Sequence, residues 1–351
     1  MSRHYTFGAL VFLCCLTTQV FAAEPSPFVQ WDRNSAIAAV QSVDIDLAVR
    51  EIGDISSLSD GADTLAKLST LESRSDWPLP AREAALHQFT RSLASLPRDA
   101  VATEVMQHLR GFEPRVLVSD EDHSEALVPM FNIRGAAAGV ENGWVRSESA
   151  ASASVLIETN PADLVSSFVA TSNHNQRSGY LDALQQADYS SVEMVQGVAL
   201  QQLERSPELS AVLAVTAVVT VDSSAIRRLL VDGRGAGLAS VLAALDQQLT
   251  SSETADLLVY AVNHAPATNT ALAIAAWWPR LSHDSSSRDL MLGLLADPSL
   301  GASAALALAR KPDLQTIKAL QDYADGESPS ARRAQMALDL NRAQLTGGLR
   351  P

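Results

Sequence analysis

The densest group of possible metal ligands in the sequence is the run Asp120-Glu121-Asp122-His123. Three carboxylates beside an imidazole can bind a hard cation such as calcium through oxygen, or a transition metal through the histidine. However, adjacent residues seldom converge on one ion, and the glycine and terminal glutamate of an EF-hand loop are missing. The run also fits a solvated acidic helix start, with Asp122 or Ser124 as the cap and the helix dipole favouring negative charge. We expect the helix start, and a cation site is the alternative.

The usual catalytic and cofactor-binding patterns are missing from the sequence. It contains no G-x-S-x-G elbow and no H-E-x-x-H helix. The stretch DGRGAGLA (232–239) lacks the preceding strand and the third glycine of a dinucleotide fingerprint, and is typical of a turn between paired helices. The histidines outside the acidic run and the first residues stand singly in the sequence, at His87, His108, His174, His264 and His283. We therefore predict no catalytic residue, no bound metal and no cofactor.

Tryptophans are the candidate partner-binding residues, because this residue type is enriched at binding hot spots. The candidates are Trp77, Trp144, Trp277 and Trp278. Trp277 and Trp278 are consecutive on a predicted helix, so their side chains point about 100° apart. We expect one of these two to pack inside and the other to reach the surface or a junction between repeats. For each tryptophan the alternative is core packing.

The first residues predict export from the cytoplasm. Arg3 and His4 precede the apolar run GALVFLCCLTTQVFA (8–22), in which Val20 and Ala22 match the small-x-small pattern of signal-peptide cleavage. We place the cut after Ala22 and the mature protein in the periplasm. The run is shorter than the ~20 apolar residues that span a bilayer, so we expect no membrane span after cleavage.

Cysteine content and charge limit what the mature protein can bind. Cys14 and Cys15 lie in the predicted signal peptide, so the mature chain has no disulfide and no thiolate metal site. Removal of Arg3 reduces the 26 basic residues to 25 against 40 acidic ones, a formal net charge of −15. Such a surface repels phosphate backbones and anionic lipid. We therefore expect no nucleic-acid partner.

The second half of the chain contains six marked helix starts. A polar capping residue precedes proline in four of them: Asn160-Pro161, Ser206-Pro207, Asp297-Pro298 and Ser328-Pro329. The cap accepts a backbone N–H of the first turn, and proline at the first helical position has no N–H to leave unpaired. Two capping boxes, Ser190 with Glu193 and Thr250 with Glu253, complete the series. Asn34 is the predicted cap of an early helix.

These starts and the apolar stripes between them recur with a regular spacing. Predicted outer helices begin near residues 190, 222, 251, 285 and 312, and predicted inner helices near 207, 235, 267, 298 and 329. Both series advance by roughly 30 residues, as in helical-repeat arrays.

The segment SPSARRAQMALDL (328–340) resembles the bacterial HEAT-like repeat. In that repeat a polar-proline start leads into paired arginines and an Ala-Ala-Leu stripe. The segment from Asp297 to Leu308 is similar but lacks the arginine. The resemblance covers about 190–345 and implies an α-solenoid with a protein-binding role. It transfers no catalytic residue to this chain.

The predicted fold is all-α, a right-handed α-solenoid of antiparallel helix pairs with a less regular helical N-terminal half. We divide the chain into a signal peptide (1–22), an irregular helical region (23–145), the repeat array (146–345) and a flexible tail (346–351). In the irregular region, Ala81, Ala85, Phe89 and Leu93 share one helix face. The segment RVLV (115–118) is predicted to be extended.

The functional prediction is a periplasmic scaffold or adaptor that binds a protein or peptide partner and has no catalytic activity. Two alternatives remain at this point. One is an accessory subunit of a cell-envelope assembly. The other is a metal-binding or enzymatic protein that uses residues 120–123. The sequence predicts neither the partner nor the oligomeric state.

Overall fold

The computed structural model describes residues 28–52, 60–122, 126–234, 237–310 and 312–347. The predicted signal peptide, His123, Gly235 and residues 348–351 of the predicted tail lie outside this part of the chain. This part of the chain contains 18 α-helices and three short strands, so the protein is predominantly α-helical. The chain divides into two compact units, Met1–Glu141 and Asn142–Pro351. The predicted boundary was 145.

In the first unit, five helices precede the helix that contains the division. They are α1 (Arg33–Gln41), α2 (Ile45–Ile52), α3 (Gly61–Ser73), α4 (Leu79–Ser92) and α5 (Ala100–Gly111), followed by α6 (Ile133–Thr159). Helix α4 packs against α1, α2 and α3, and α3 packs against α5. The predicted face of Ala81, Ala85, Phe89 and Leu93 is completely buried, which confirms that prediction.

Three short strands complete the first unit. They are β1 (Val29–Gln30), β2 (Val116–Ser119) and β3 (Leu127–Pro129). Strand β2 lies in the middle, parallel to β1 and antiparallel to β3 with Val118 opposite Val128. The predicted extended segment is therefore confirmed at β2. The expected helix start at 120–122 is wrong, because these residues follow β2 and lead to β3.

Two predicted helix caps are displaced by an aspartate earlier in the chain. Asp32, not Asn34, caps α1, and its carboxylate accepts the backbone N–H of Ser35 at 2.9 Å. Asp188 takes the place predicted for Ser190 and accepts the N–H of Ser191 at 3.0 Å. A carboxylate is a stronger acceptor than an amide or a hydroxyl. The hydrogen bond from Ser35 holds the pKa of Asp32 below its ordinary value.

The second unit contains the remaining helices. They are α7 (Pro161–Ala170), α8 (His174–Gln186), α9 (Tyr189–Gln202), α10 (Ser210–Thr220), α11 (Ser223–Asp232), α12 (Gly237–Asp246), α13 (Ser251–His264), α14 (Ala267–Leu281), α15 (Ser285–Leu294), α16 (Gly301–Leu308), α17 (Leu314–Tyr323) and α18 (Pro329–Gly347). The predicted outer and inner starts correspond to α9 through α18, each within a few residues. Asn160 caps α7 and Thr250 forms the predicted capping box with Glu253 on α13.

The packing of these helices follows a simple order. From α8 to α18, each even-numbered helix packs against the next even-numbered one. Five of the even-numbered helices also pack against the odd-numbered helix before them, giving the pairs α7–α8, α9–α10, α13–α14, α15–α16 and α17–α18. One continuous apolar cluster, which runs in sequence from Ala153 to Leu338, fills the space between them.

Side chains of α14 and α18 bind the ends of helices in the preceding pair. Asn269 Nδ2 of α14 donates to the carbonyls of Leu230 and Gly233, at the end of α11, at 3.0 and 2.9 Å. Arg333 of α18 donates to the carbonyls of Leu295 and Asp297, after α15, at 2.7 Å each. The last carbonyls of a helix have no hydrogen-bond donor within the helix. These inter-pair hydrogen bonds supply a donor from the next pair.

The same two helices make a second contact of this kind further along. Arg280 of α14 donates to the carbonyl of Leu249, which follows α12. Asn341 of α18 donates to the carbonyl of Ala309, which follows α16, at 3.3 Å. The inter-pair hydrogen bonds therefore recur at corresponding positions on α14 and α18.

Candidate functional site

Trp277 and Trp278 are both buried, with 0% and 2% of their surfaces exposed. Neither ring reaches the surface, so of the two positions expected for the second tryptophan only the junction between repeats stays a prediction. Helix α14 packs against α12, α13 and α16, so that directions about 100° apart are both covered. Trp277 Nε1 donates to the carbonyl of Leu242 on α12 at 3.0 Å. Trp277 is thus another contact between successive even-numbered helices.

The other two tryptophan candidates differ in exposure. Trp144 on α6 is buried, with 4% of its surface exposed. Trp77, in the segment before α4, is half-buried, and the guanidinium of Arg74 lies over its ring at 4.5 Å from the centroid. Of the four candidates, Trp77 alone keeps an appreciable exposed surface, and its contact with a partner stays a prediction.

The three carboxylates of the acidic run, at positions 120–122, come directly after β2. Asp120 accepts the backbone N–H of Asp122 at 2.8 Å, and Glu121 pairs with Arg33 at 3.1 Å on the surface. His123 lies outside the described residues. In the described part of the chain, no group of three or more histidines, cysteines, aspartates or glutamates is placed to hold a metal ion. No described contact therefore brings these carboxylates together around a cation.

The first unit instead contains a charged cleft of about 460 Å³ that sequence reasoning did not predict. The end of α3, the first half of α4, the end of α5 and the segment after α5 surround it. Its charged and polar lining residues are Glu72, Arg82, Glu83, Gln107, His108, Glu113 and Arg115. Leu79, Leu86 and Phe112 supply the apolar part of the wall.

Glu83 is the buried carboxylate of this cleft, with 1% of its surface exposed. Its Oε1 accepts the backbone N–H groups of Arg115 at 2.6 Å and Val116 at 3.2 Å, which joins β2 to α4. Burial raises the pKa of Glu83, and the two N–H groups oppose that shift only in part. One sequence signal was available: Glu83 occupies the same helical stripe as the buried Leu86 and Thr90.

An acid–base pair lies at the same cleft. His108 Nε2 is 2.8 Å from Glu72 Oε1, and both side chains are about one third exposed. Arg82 donates to the backbone carbonyl of Glu72 at 2.8 Å, so α3 and α4 are held together beside the pair. The His108–Glu72 pair can exchange a proton with a bound molecule. Glu83 is committed to the backbone of β2.

The second unit contains an apolar groove between α14 and α16, with a volume of about 130 Å³. Its lining residues are Ala271, Ile274, Ala275, Trp278, Pro279, Ser303, Leu306, Ala307 and Arg310. Leu306 is 54% exposed, so part of the groove wall is an apolar side chain open to solvent. The groove is the apolar counterpart of the charged cleft.

The helices in the described residues include none with the length and apolar character that crossing a membrane requires. Comparisons of the chain with protein-family models, curated proteins and solved structures found no match.

Proposed function

We propose that this protein is an exported adaptor, in which residues 146–345 form a right-handed α-solenoid that binds a protein or peptide partner. The observation that carries the proposal is the unbroken series of contacts from α8 to α18, in which each even-numbered helix packs against the next. Repeat arrays are built in this way, with each unit contacting its neighbours, and they present long surfaces suited to extended partners.

The inter-pair hydrogen bonds support a HEAT-like repeat as the unit of this array. Arg333 is the second arginine of the segment that resembles the bacterial repeat, and it caps the preceding pair. Gly301 at the start of α16 provides the space, since a Cβ there would lie 2.2 Å from Arg333 Nη1. The polar residues of the repeat thus have a structural role in stacking the helix pairs. This role is compatible with a protein-binding surface and does not require a catalytic site.

The binding proposal is tested by purification from the compartment in which the protein acts. Affinity-tagged full-length chain is recovered after mild cross-linking, with an exported protein carrying the same tag as the control. We expect a partner that is recovered reproducibly and only with this chain. A partner in constant stoichiometric ratio favours the accessory-subunit alternative, and the absence of any reproducible partner contradicts both.

The export proposal has a separate test. Cell fractionation followed by N-terminal sequencing of the purified chain should give a periplasmic protein that begins at Ala23. A chain that keeps Met1 or Ser2 and remains in the cytoplasm would contradict it.

The charged cleft supports a second candidate function, the binding of a small polar molecule in the first unit. The supporting observation is the His108–Glu72 pair, which lies at a cleft of about 460 Å³ beside Arg82 and Arg115. His108→Gln is the informative variant, because glutamine keeps a hydrogen bond to Glu72 and cannot exchange a proton. If the cleft has this function, the variant should alter the phenotype of the cell without changing the recovery of the protein partner.

A further inference from the structure

The apolar groove has room for one side chain. Small residues of α14 and α16, namely Ala271, Ala275 and Ala307, leave a space over Ile274 and Trp278. Its volume of about 130 Å³ is close to that of an engineered cavity of about 150 Å³ that binds benzene. A helix docked on this surface would need several apolar anchors spaced along its length. A groove of this size therefore fits a single anchoring residue.

The backbone of α14 adds a hydrogen-bond acceptor at the groove. Pro279 lies inside α14, and it has no N–H to donate to the carbonyl of Ala275, one turn earlier. Both residues line the groove, and Ala275 is exposed. A bound peptide can supply the missing N–H. An apolar molecule without a donor cannot.

A positive charge stands at one end of the groove. Arg310 is exposed, and its guanidinium makes no ion pair or hydrogen bond with any residue in the described part of the chain. It also borders a second cavity of about 490 Å³, lined by Pro279, Ser282, His283 and Gln344. The whole chain carries a formal net charge of −14, so an unpaired cation beside an apolar groove is a local exception. It is complementary to a carboxylate.

We propose that this groove binds the C-terminal residue of a partner polypeptide. The apolar side chain of that residue enters the groove between α14 and α16, and its α-carboxylate binds Arg310. Its backbone N–H faces the carbonyl of Ala275, and the preceding residues cross the second cavity. A chain terminus meets all three requirements at once, because side chain, N–H and carboxylate belong to the same residue. The inference rests on the proposed adaptor function and names the part of the partner that is recognised.

The test is fluorescence anisotropy with the full-length chain and three labelled peptides. The first is GSGSVL with a free C-terminus, the second is GSGSVL amide, and the third is GSDLGS amide, which carries an internal carboxylate beside leucine. The variants are Arg310→Gln, Ala275→Glu and, as the matched control, Arg332→Gln. Arg332 is an exposed arginine that does not line the groove.

We expect GSGSVL to bind with an affinity about two- to fivefold higher than either amide peptide, since an ion pair with an exposed arginine is worth up to about 1 kcal/mol. Arg310→Gln should remove the difference, Ala275→Glu should abolish binding by occupying and charging the groove, and Arg332→Gln should change nothing. Equal binding of the free and amidated forms would overturn the proposal, as would equal binding by wild type and Arg310→Gln.

The failure of this inference and the failure of the adaptor proposal are distinguishable. If no peptide binds while the tagged chain still recovers its partner, the groove is not the site and the adaptor proposal stands. If Arg310→Gln loses that partner and circular dichroism shows an unchanged fold, both are supported. A chain that recovers no partner at all, in wild-type form, overturns the adaptor proposal whatever the peptides do.

Discussion

The two units use buried hydrogen bonds in opposite ways. In the first unit a carboxylate, Glu83, accepts two backbone N–H groups and joins one helix to one strand. In the second unit two buried side chains, Asn269 and Trp277, and the half-buried Arg333 are donors that bind carbonyls of the preceding helices. The first arrangement occurs at one place and uses a carboxylate whose pKa is raised by burial. The second recurs along the helices of the second unit.

The two units should therefore respond differently to the loss of one of these hydrogen-bonding side chains. Loss of Glu83 leaves two N–H groups without an acceptor inside a small unit, so the effect stays with β2 and α4. Loss of a donor in the array uncouples one pair from the next and leaves the pairs themselves intact.

The largest expected effect is that of Trp277→Ala. The substitution removes a completely buried ring and its hydrogen bond to Leu242, and the surrounding helices cannot collapse fully into the space. We expect a loss of about 3–5 kcal/mol in the free energy of unfolding, measured by urea denaturation. Tyr189→Ala is the control, because Tyr189 is 55% exposed, and it should change stability by less than about 0.5 kcal/mol. Similar losses from both variants would mean that α14 is not held between α12 and α16.

The next largest effect is expected in the first unit. Glu83→Ala leaves the N–H groups of Arg115 and Val116 without an acceptor, at a cost of about 1–3 kcal/mol for the buried N–H of Val116. Glu83→Gln keeps an acceptor oxygen and should lose less than half as much. The measurement is amide hydrogen exchange in β2 and in α15. The amides of β2 alone should lose protection from exchange. Loss of protection in α15 as well would contradict the independence of the two kinds of contact.

Arg333→Ala should have an intermediate effect on the array. It removes two hydrogen bonds to carbonyls after α15, and we expect a loss of about 1–2 kcal/mol, typical of half-buried hydrogen bonds. Arg332→Ala changes the neighbouring, exposed arginine and is the matched control. If the two variants unfold at the same urea concentration, the inter-pair hydrogen bonds do not stabilise the stack.

The smallest effect is the dependence of stability on pH, which should have opposite signs for the buried carboxylate Glu83 and for two helix caps of the second unit. The pKa of Glu83 is raised above its ordinary value of 4.5 by burial, so its contribution to stability falls as pH rises through the window above 4.5. The pKa values of the caps Asp284 and Asp313 are lowered from 3.8 by the backbone N–H groups of Ser287 and Thr316. Their contribution is present above 3.8 and is lost as pH falls below it.

Urea midpoints of wild type, Glu83→Gln and Asp284→Asn between pH 3 and 7 measure these contributions. Wild type should lose stability relative to Glu83→Gln as pH rises, and relative to Asp284→Asn as pH falls. Parallel curves for wild type and Glu83→Gln would show that Glu83 has the same pKa in the folded and unfolded chain.

Local signals were predictable from the sequence, and contacts between distant residues were not. The caps Asn160 and Thr250 bind backbone groups within three residues, so the residue types at those positions were sufficient. The acceptor role of Glu83 depends on N–H groups more than 30 residues away. Its place in a buried helical stripe was the one visible hint. No pattern in the sequence indicated the charged cleft.

The tryptophans illustrate the same limit, because local helix geometry was predictable and contacts with other helices were not. Consecutive positions on a helix predict side chains about 100° apart, and that geometry holds for Trp277 and Trp278. It does not say how many neighbours cover the helix, and α14 has neighbours on both sides. Likewise, the paired arginines of 328–340 were visible in the sequence, but the carbonyls that Arg333 binds lie in another pair of helices.

The most direct test of the repeat array is truncation in register with the helix pairs. One chain ends at Arg310, after α16, and a second ends at Ala324, which keeps α17 without its partner α18. Hydrogen exchange on both chains should show α7 to α14 still protected, with α17 unprotected in the longer one. If removal of residues 311–351 exposes the whole of α7 to α14, the unit folds as a single closed core and the account of stacked helix pairs is wrong.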